Sequence, residues 1–300
     1  MDAMIFFTKW QDQHAVILQN SDITAVILPE HGGKVASLFH RSKGFELLFQ
    51  NPHKMYRKAE PGSDFSKFEA CGFDDAFPTI DPCDVLVNGS IIHYPDHGEI
   101  WSAAFEYTVE NDSVILTYAG RLLPYRYEKT FCLNGASLVC KYRIKNTGKV
   151  EFPYLWAFHC LVNCEKGMRL IYPDGVTTIT NVLDCNSFGK AGRQYPFAES
   201  FYRLPEGPMI KYYITGKVKE GKCGYYYPRK NIIALIEFDL DLLPYLGFWC
   251  TDGGYRGDIN CAFEPASGFY DSALVSYRHG TGSTLLPNMT FSFQIVIKLN

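Results

Sequence analysis

No apolar run in this 300-residue sequence approaches the roughly 20 residues that a bilayer-spanning helix needs, so no helical membrane span is expected. Clusters of Lys and Arg are missing too. With 29 basic against 32 acidic side chains and a formal charge of −3, there is no electrostatic ground to expect nucleic acid as a partner. Long stretches with a 3.6-residue period are absent, and so are internal repeats, which removes helical bundles and solenoids from consideration. No CxxC occurs among the ten cysteines. The closest pair, Cys160 and Cys164, lacks both the two-residue spacing and the second ligand pair of a zinc site, even with His159 beside it. Reduced, mostly buried thiols are expected instead, and no metal. The stretch Met1–Lys9 lacks a basic n-region and its apolar part is too short for a signal peptide, so the cytoplasm is the expected location.

What is present points to sheet. Apolar residues make up 47% and charged ones 20%, which excludes intrinsic disorder. Aromatic content is 15%, with 20 Tyr and 22 Phe, a bias that favours strands and supplies surfaces on which sugar rings and flat ligands stack. Leu138, Cys140, Tyr142 and Ile144 alternate with Val139, Lys141, Arg143 and Lys145. Phe291, Phe293, Ile295, Ile297 and Leu299 do the same near the C-terminus. Period two marks a half-buried strand. Asn88-Gly89 and Asn134-Gly135 sit between such segments and suit type I′ hairpin turns, because both residues tolerate positive φ. Asn111-Asp112, Thr147-Gly148 and Arg256-Gly257-Asp258 read as further turns, and Pro205-Glu206-Gly207-Pro208 as a loop before a strand at Ile232–Phe238. Many hairpins without crossover helices predict an all-β fold, a large antiparallel β-sandwich formed by residues 1–300 as one domain.

Chemistry must then come from a site without the familiar cofactor motifs. His279-Gly280-Thr281-Gly282-Ser283-Thr284 has glycines but no Lys and no following helix pattern, so it is not a phosphate loop. No GxSxG elbow, HExxH or dinucleotide fingerprint occurs. Hydrogen-bonding, cofactor-free chemistry is left as the best candidate. Three segments place ionisable groups among aromatics: Gly72–Thr79 followed by Asp96-His97-Gly98-Glu99-Ile100-Trp101, then Trp156–Asn163, then Ala262–Gly268. Each has an ordinary reading as well: a core histidine at His159, a strand end at Glu264, a turn at Asp96-His97-Gly98.

Together, in this order, the segments resemble the aldose 1-epimerase (galactose mutarotase-like) family, from about Ile23 to the C-terminus and loosely over 165–230. Pro95-Asp96-His97-Gly98-Glu99 matches the family's histidine-glycine motif. His159-Cys160-Leu161-Val162-Asn163 matches its central His…Asn motif except at Cys160 and Val162. Phe263-Glu264-Pro265 matches its Glu-Pro motif, and Leu285-Leu286-Pro287-Asn288 its late turn, with Asn288 where glycine is usual. The resemblance implies a galactose mutarotase-like sandwich with no cofactor, taking a small-molecule sugar as a monomer or weak homodimer. It implies Glu264 as the base on the anomeric hydroxyl, His159 as the acid on the ring oxygen, and His97 as a sugar-binding group or supporting acid. The family's sugar-contacting arginine is replaced near Pro82 and Cys83, so Asp74 and Asp75 are the expected polar sugar contacts, with Trp249 (or Trp101) as a stacking wall. A carboxylate beside Phe263 is expected to be desolvated. The alternatives are a hexose 6-phosphate epimerase, which needs an Arg/Lys cradle, and a non-catalytic sugar-binding protein on the same scaffold.

Overall fold

The computed structural model describes residues 3–185, 187–205 and 208–300. The loop expected at 205–208 therefore falls partly outside the described residues, at Glu206 and Gly207, as do Met1 and Asp2 of the N-terminal segment. Two large sheets dominate, and every strand pair in them is antiparallel. The 13-stranded sheet runs from Met4–Trp10 through Gln13–Gln19, Ile23–Leu28, Lys34–His40, Phe73–Ala76, Ala157–Cys160, Ile259–Ala266, Tyr245–Asp252 and Met209–Ile214 to Thr178–Asn181 and Gln194–Pro196. The 8-stranded sheet is built around Thr290–Leu299, Ser137–Asn146 and Tyr125–Asn134. This is the large antiparallel all-β sandwich that the sequence leads one to expect.

Alternation explains the packing. Leu138, Cys140, Tyr142 and Ile144 are all buried, and so are Phe291, Phe293, Ile295, Ile297 and Leu299 on the neighbouring strand. Tyr142 and Phe293 stack with ring centres 4.8 Å apart, and Trp156, just before the Ala157–Cys160 strand, meets Phe293 edge-on. The hairpin at Asn88-Gly89 has both central residues at positive φ, 49° and 79°, as a type I′ turn requires. The turn expected at Asn134-Gly135 is centred one residue later. Asn134 pairs with Ser137, so Gly135 takes the positive φ and Asn134 stays in the ladder.

The two faces of the larger sheet have different fates. Phe73, Phe158, Phe248 and Phe263 point into the space between the sheets, packing against Phe131, Tyr172 and Tyr225. Their sequence neighbours Asp74, His159, Trp249 and Glu264 therefore project from the opposite face. A central run of adjacent strands thus brings residues from distant parts of the chain onto one surface. The Ala273–Arg278 helix, capped by Ser272, packs against the Cys83–Val87 and Phe152–Tyr154 strands, and Asp271 immediately precedes its cap.

Candidate active site

A cleft of about 170 Å³ lies over that central run. Glu264, His159, His97 and Trp249 all line it, together with Lys211, Asp271, Asp81, Asn260 and the apolar side chains of Phe65, Leu161 and Tyr255. Glu264 and His159 are thus brought together from strands that neighbour each other in the sheet, although more than a hundred residues separate them in sequence.

Glu264 sits on Ile259–Ala266 directly opposite Gly247 on Tyr245–Asp252. A Cβ at Gly247 would lie 3.2 Å from Glu264 Oε2 and 3.2 Å from the Tyr213 ring, so glycine leaves the room that the carboxylate occupies. Glu264 is fully buried, and neither of its oxygens has a hydrogen-bond partner. Burial pushes its carboxyl above the usual range, opposed by the Lys211 ammonium 3.0 Å from Oε2. Phe263 is not the cause of this burial, contrary to the sequence expectation, because it faces the sandwich interior. The desolvation comes from the floor of the cleft itself.

His159 is 6% exposed, and its Nδ1 is buried without a partner, which leaves Nε2 as the nitrogen able to face the cleft. Burial, then the positive charges of His97, Lys211 and Lys34, hold its proton affinity well below that of an ordinary imidazole, so the neutral ring dominates. His97 meets His159 edge-on at 5.0 Å and stacks on Phe65 at 4.0 Å. Its Nδ1 is 2.7 Å from Asp96 Oδ1, while Asp96 Oδ2 accepts from the Phe65 amide at 2.9 Å. Desolvation works against the Asp96 charge, yet the His97 contacts and the Phe65 amide bring its carboxyl below the usual value.

The turn that presents His97 depends on glycine. His97 and Gly98 adopt φ of 57° and 70°, and a Cβ at Gly98 would fall 1.9 Å from the carbonyl oxygen of Phe77. Glu99 anchors the following residues by accepting from the Arg121 and Leu122 amides at 3.1 and 3.0 Å and from the Tyr125 hydroxyl.

Trp249 stands in the cleft wall, edge-on to Tyr255 at 5.5 Å, with its indole N–H donated to Asn260 Oδ1 at 3.0 Å. Trp101, the other stacking candidate, instead packs edge-on against Phe65 at 5.1 Å, and its N–H is taken by the Asp96 carbonyl.

Two expected sugar contacts do not stand in the cleft. Asp75 points between the sheets, where it accepts from Lys129 at 2.7 Å, Tyr142 at 2.9 Å and Tyr127 at 3.1 Å. Period-two alternation turns it away from its neighbour Asp74. Asp74 projects from the cleft face of the sheet, opposite His159, but it is buried beneath the cleft in an ion pair with Lys34 and does not line it. Conversely, Lys211, Asp271 and Asn260 were not anticipated. A lone Lys in the apolar strand Met209–Ile214 was the available signal for the first of these. All ten cysteines are free, and no group of three or more metal-binding side chains occurs among the described residues.

Comparisons with known proteins agree with this architecture. No protein-family model matches the chain, and no curated protein matches it either. Solved structures do. The Slr1438 protein of Synechocystis sp. PCC 6803 superposes with a TM-score of 0.75 at 16% identity, over 99% of this chain and 96% of its own. A galactose mutarotase-like protein from Lactobacillus casei gives 0.71 at 16% identity, over 95% and 100%. A protein from Escherichia coli K12 described as a candidate aldose 1-epimerase gives 0.71 at 15% identity, over 99% of each chain. At such identities the likeness is one of fold, and the chain has the galactose mutarotase-like fold. Among the described residues, no helix is long and apolar enough to cross a membrane.

Proposed function

We propose that the protein is an aldose 1-epimerase that interconverts the α and β anomers of a free hexose such as galactose or glucose by acid/base ring opening. The observation that carries this reading is the convergence of a buried carboxylate, its charge faced by Lys211, and an imidazole on one cleft. In the reactive form Glu264 is a carboxylate and His159 an imidazolium. Glu264 takes the proton from the anomeric O1 hydroxyl, the C1–O1 bond becomes a carbonyl, the C1–O5 bond breaks, and O5 takes the proton from His159. Rotation about C1–C2 turns the other carbonyl face to O5. His159 then recovers its proton from the O5 hydroxyl as O5 attacks C1, and Glu264 returns its proton to O1.

The opposing pulls on the two groups favour the inverse placement of that proton, on the carboxyl, so the reactive form is a minor one. The imidazolium it contains is correspondingly a strong acid. The pair titrates as a unit, and its rate profile reports values that belong to the pair. Each positioned proton-transfer group contributes typically 10²–10⁴-fold, a modest demand for a reaction that sugars undergo unaided. His97 would bind a ring hydroxyl, and Trp249 would offer the apolar face of the sugar a wall.

Charge distinguishes the substrate classes. Lys211 is the only Lys or Arg lining the cleft among the described residues, and it is already shared between Glu264 and Asp271 at 3.0 and 3.1 Å. With Asp81 also present, the cleft is net acidic, which favours a neutral sugar over a hexose phosphate. The test is polarimetry on freshly dissolved α-glucose and α-galactose. The wild-type protein is expected to speed equilibration above the buffer rate, and Glu264→Gln to abolish that acceleration with its circular dichroism intact. A fully active Glu264→Gln protein would overturn the base assignment. Sugar binding without acceleration by the wild type would favour a non-catalytic binding protein.

A further inference from the structure

We propose that Lys211 is a positioning residue of this site: clamped between Asp271 and Glu264, its ammonium offsets part of the desolvation of the buried Glu264 and so enlarges the share of the carboxylate form that accepts the proton. The inference rests on the reading of Glu264 as base. A carboxylate with no hydrogen bond and no exposure would ordinarily surrender its charge. Lys211 is the only cation within ion-pair distance of Glu264 among the described residues. The contact is made to Oε2, which leaves Oε1 without a partner.

The clamp is anchored from behind. Asp271 Oδ2 is 3.1 Å from Lys211 Nζ, and Asp271 Oδ1 accepts from the Tyr213 hydroxyl at 2.9 Å. The Asp271 carbonyl accepts from the Ile80 and Asp81 amides at 2.9 and 2.8 Å. Lys211 and Tyr213 are two residues apart on one strand and so share a face. Although burial works against the Lys211 charge, Asp271, Glu264 and Asp81 together hold its proton more firmly than usual, so it acts as a fixed cation and not as an amine nucleophile.

The titratable groups facing Glu264 are therefore Lys211 and Tyr213 from Met209–Ile214, His159 from Ala157–Cys160, and His97, Asp81 and Asp271 from the loops around the cleft. On the Tyr245–Asp252 strand the residue directly paired with it is Gly247. Asp271 pushes the Glu264 carboxyl up, while Lys211 and, more weakly, His97 bring it down. Removal of Lys211 and removal of Asp271 thus have opposite signs.

Two readouts test this. The Glu264 carboxyl is titrated by carbon-13 NMR in sugar-free protein, assigned by its loss in Glu264→Gln, and kcat/KM for anomer exchange is followed against pH. Lys211→Met is expected to raise the Glu264 midpoint by about one unit or more and to lower kcat/KM at neutral pH about tenfold. Lys211→Arg, which keeps the charge, brings the midpoint back toward the wild-type value. Asp271→Asn moves it downward, and serves if Lys211→Met does not fold. An unchanged Glu264 midpoint in Lys211→Met, or an upward shift in Asp271→Asn, overturns the proposal. A wild-type protein that leaves the anomers at the buffer rate overturns the epimerase reading instead, while the carboxyl titration still decides the role of Lys211.

Discussion

Asp81 stands in the cleft wall with its outer side exposed to solvent, and partial desolvation by the surrounding protein, with the neighbouring Asp271 carboxylate, pushes its carboxyl from the ordinary 3.8 up to about 6. The folded protein therefore binds this proton more tightly than the unfolded chain does. Ionised Asp81 opposes folding above about pH 6, and the penalty fades as pH falls toward 3.8, where both states carry the proton. Asp81→Asn is accordingly expected to melt at a higher temperature than wild type at about pH 7.5, with the gap closing by about pH 4. A gap that stays constant across that range, or widens as pH falls, would contradict the assignment. The residues of the site differed in how far they could be read from the sequence. Glu264, His159 and His97 carry local motifs, so a resemblance could name them. Lys211 and Asp271 carry none, because their significance lies in a cross-strand meeting that only the folded sheet creates. Asp74 and Asp75 were misread as sugar contacts for a related reason: adjacent acids on a strand must face opposite ways, and each is claimed by a lysine from another segment.

At the scale of elements, alternation and turn chemistry made the Ser137–Asn146 and Thr290–Leu299 strands legible, and Ile232–Phe238 was located at its observed limits. The first hairpin was not legible. Its turn uses Gln11 and Asp12 at φ of 46° and 64°, residues that carry no glycine signal. The joint between the sheets likewise escaped, since nothing local shows that Asp75 of Phe73–Ala76 reaches Lys129 and Tyr127 of Tyr125–Asn134 and Tyr142 of Ser137–Asn146. Both ions of the Asp75–Lys129 pair are almost wholly buried, with side-chain exposures of 1% and 2%. Breaking such a pair strands a charge between the sheets and costs roughly 3–5 kcal/mol. Asp75→Leu is therefore expected to lower the urea midpoint by an amount corresponding to about 3 kcal/mol. A loss below about 1 kcal/mol would mean that the sheets are not joined in this way.

For the molecule as a whole, one face of the larger sheet binds the structure together against the smaller sheet, and the other carries the candidate chemistry. The centre of that sheet is where strands from the first, middle and last thirds of the chain meet, and so where an acid and a base distant in sequence become neighbours. The sandwich and its antiparallel order followed from periodicity, whereas the strand order that creates the site did not, because register between distant segments has no local code. The most direct measurement of the joint action of Glu264 and His159 is magnetisation-exchange NMR between the α and β anomeric protons of a hexose with wild-type protein, Glu264→Gln and His159→Asn. The account predicts exchange well above the buffer rate with wild type, none above it with Glu264→Gln, and at least a tenfold loss with His159→Asn. Exchange at the buffer rate with wild type, or undiminished in either variant, would contradict it.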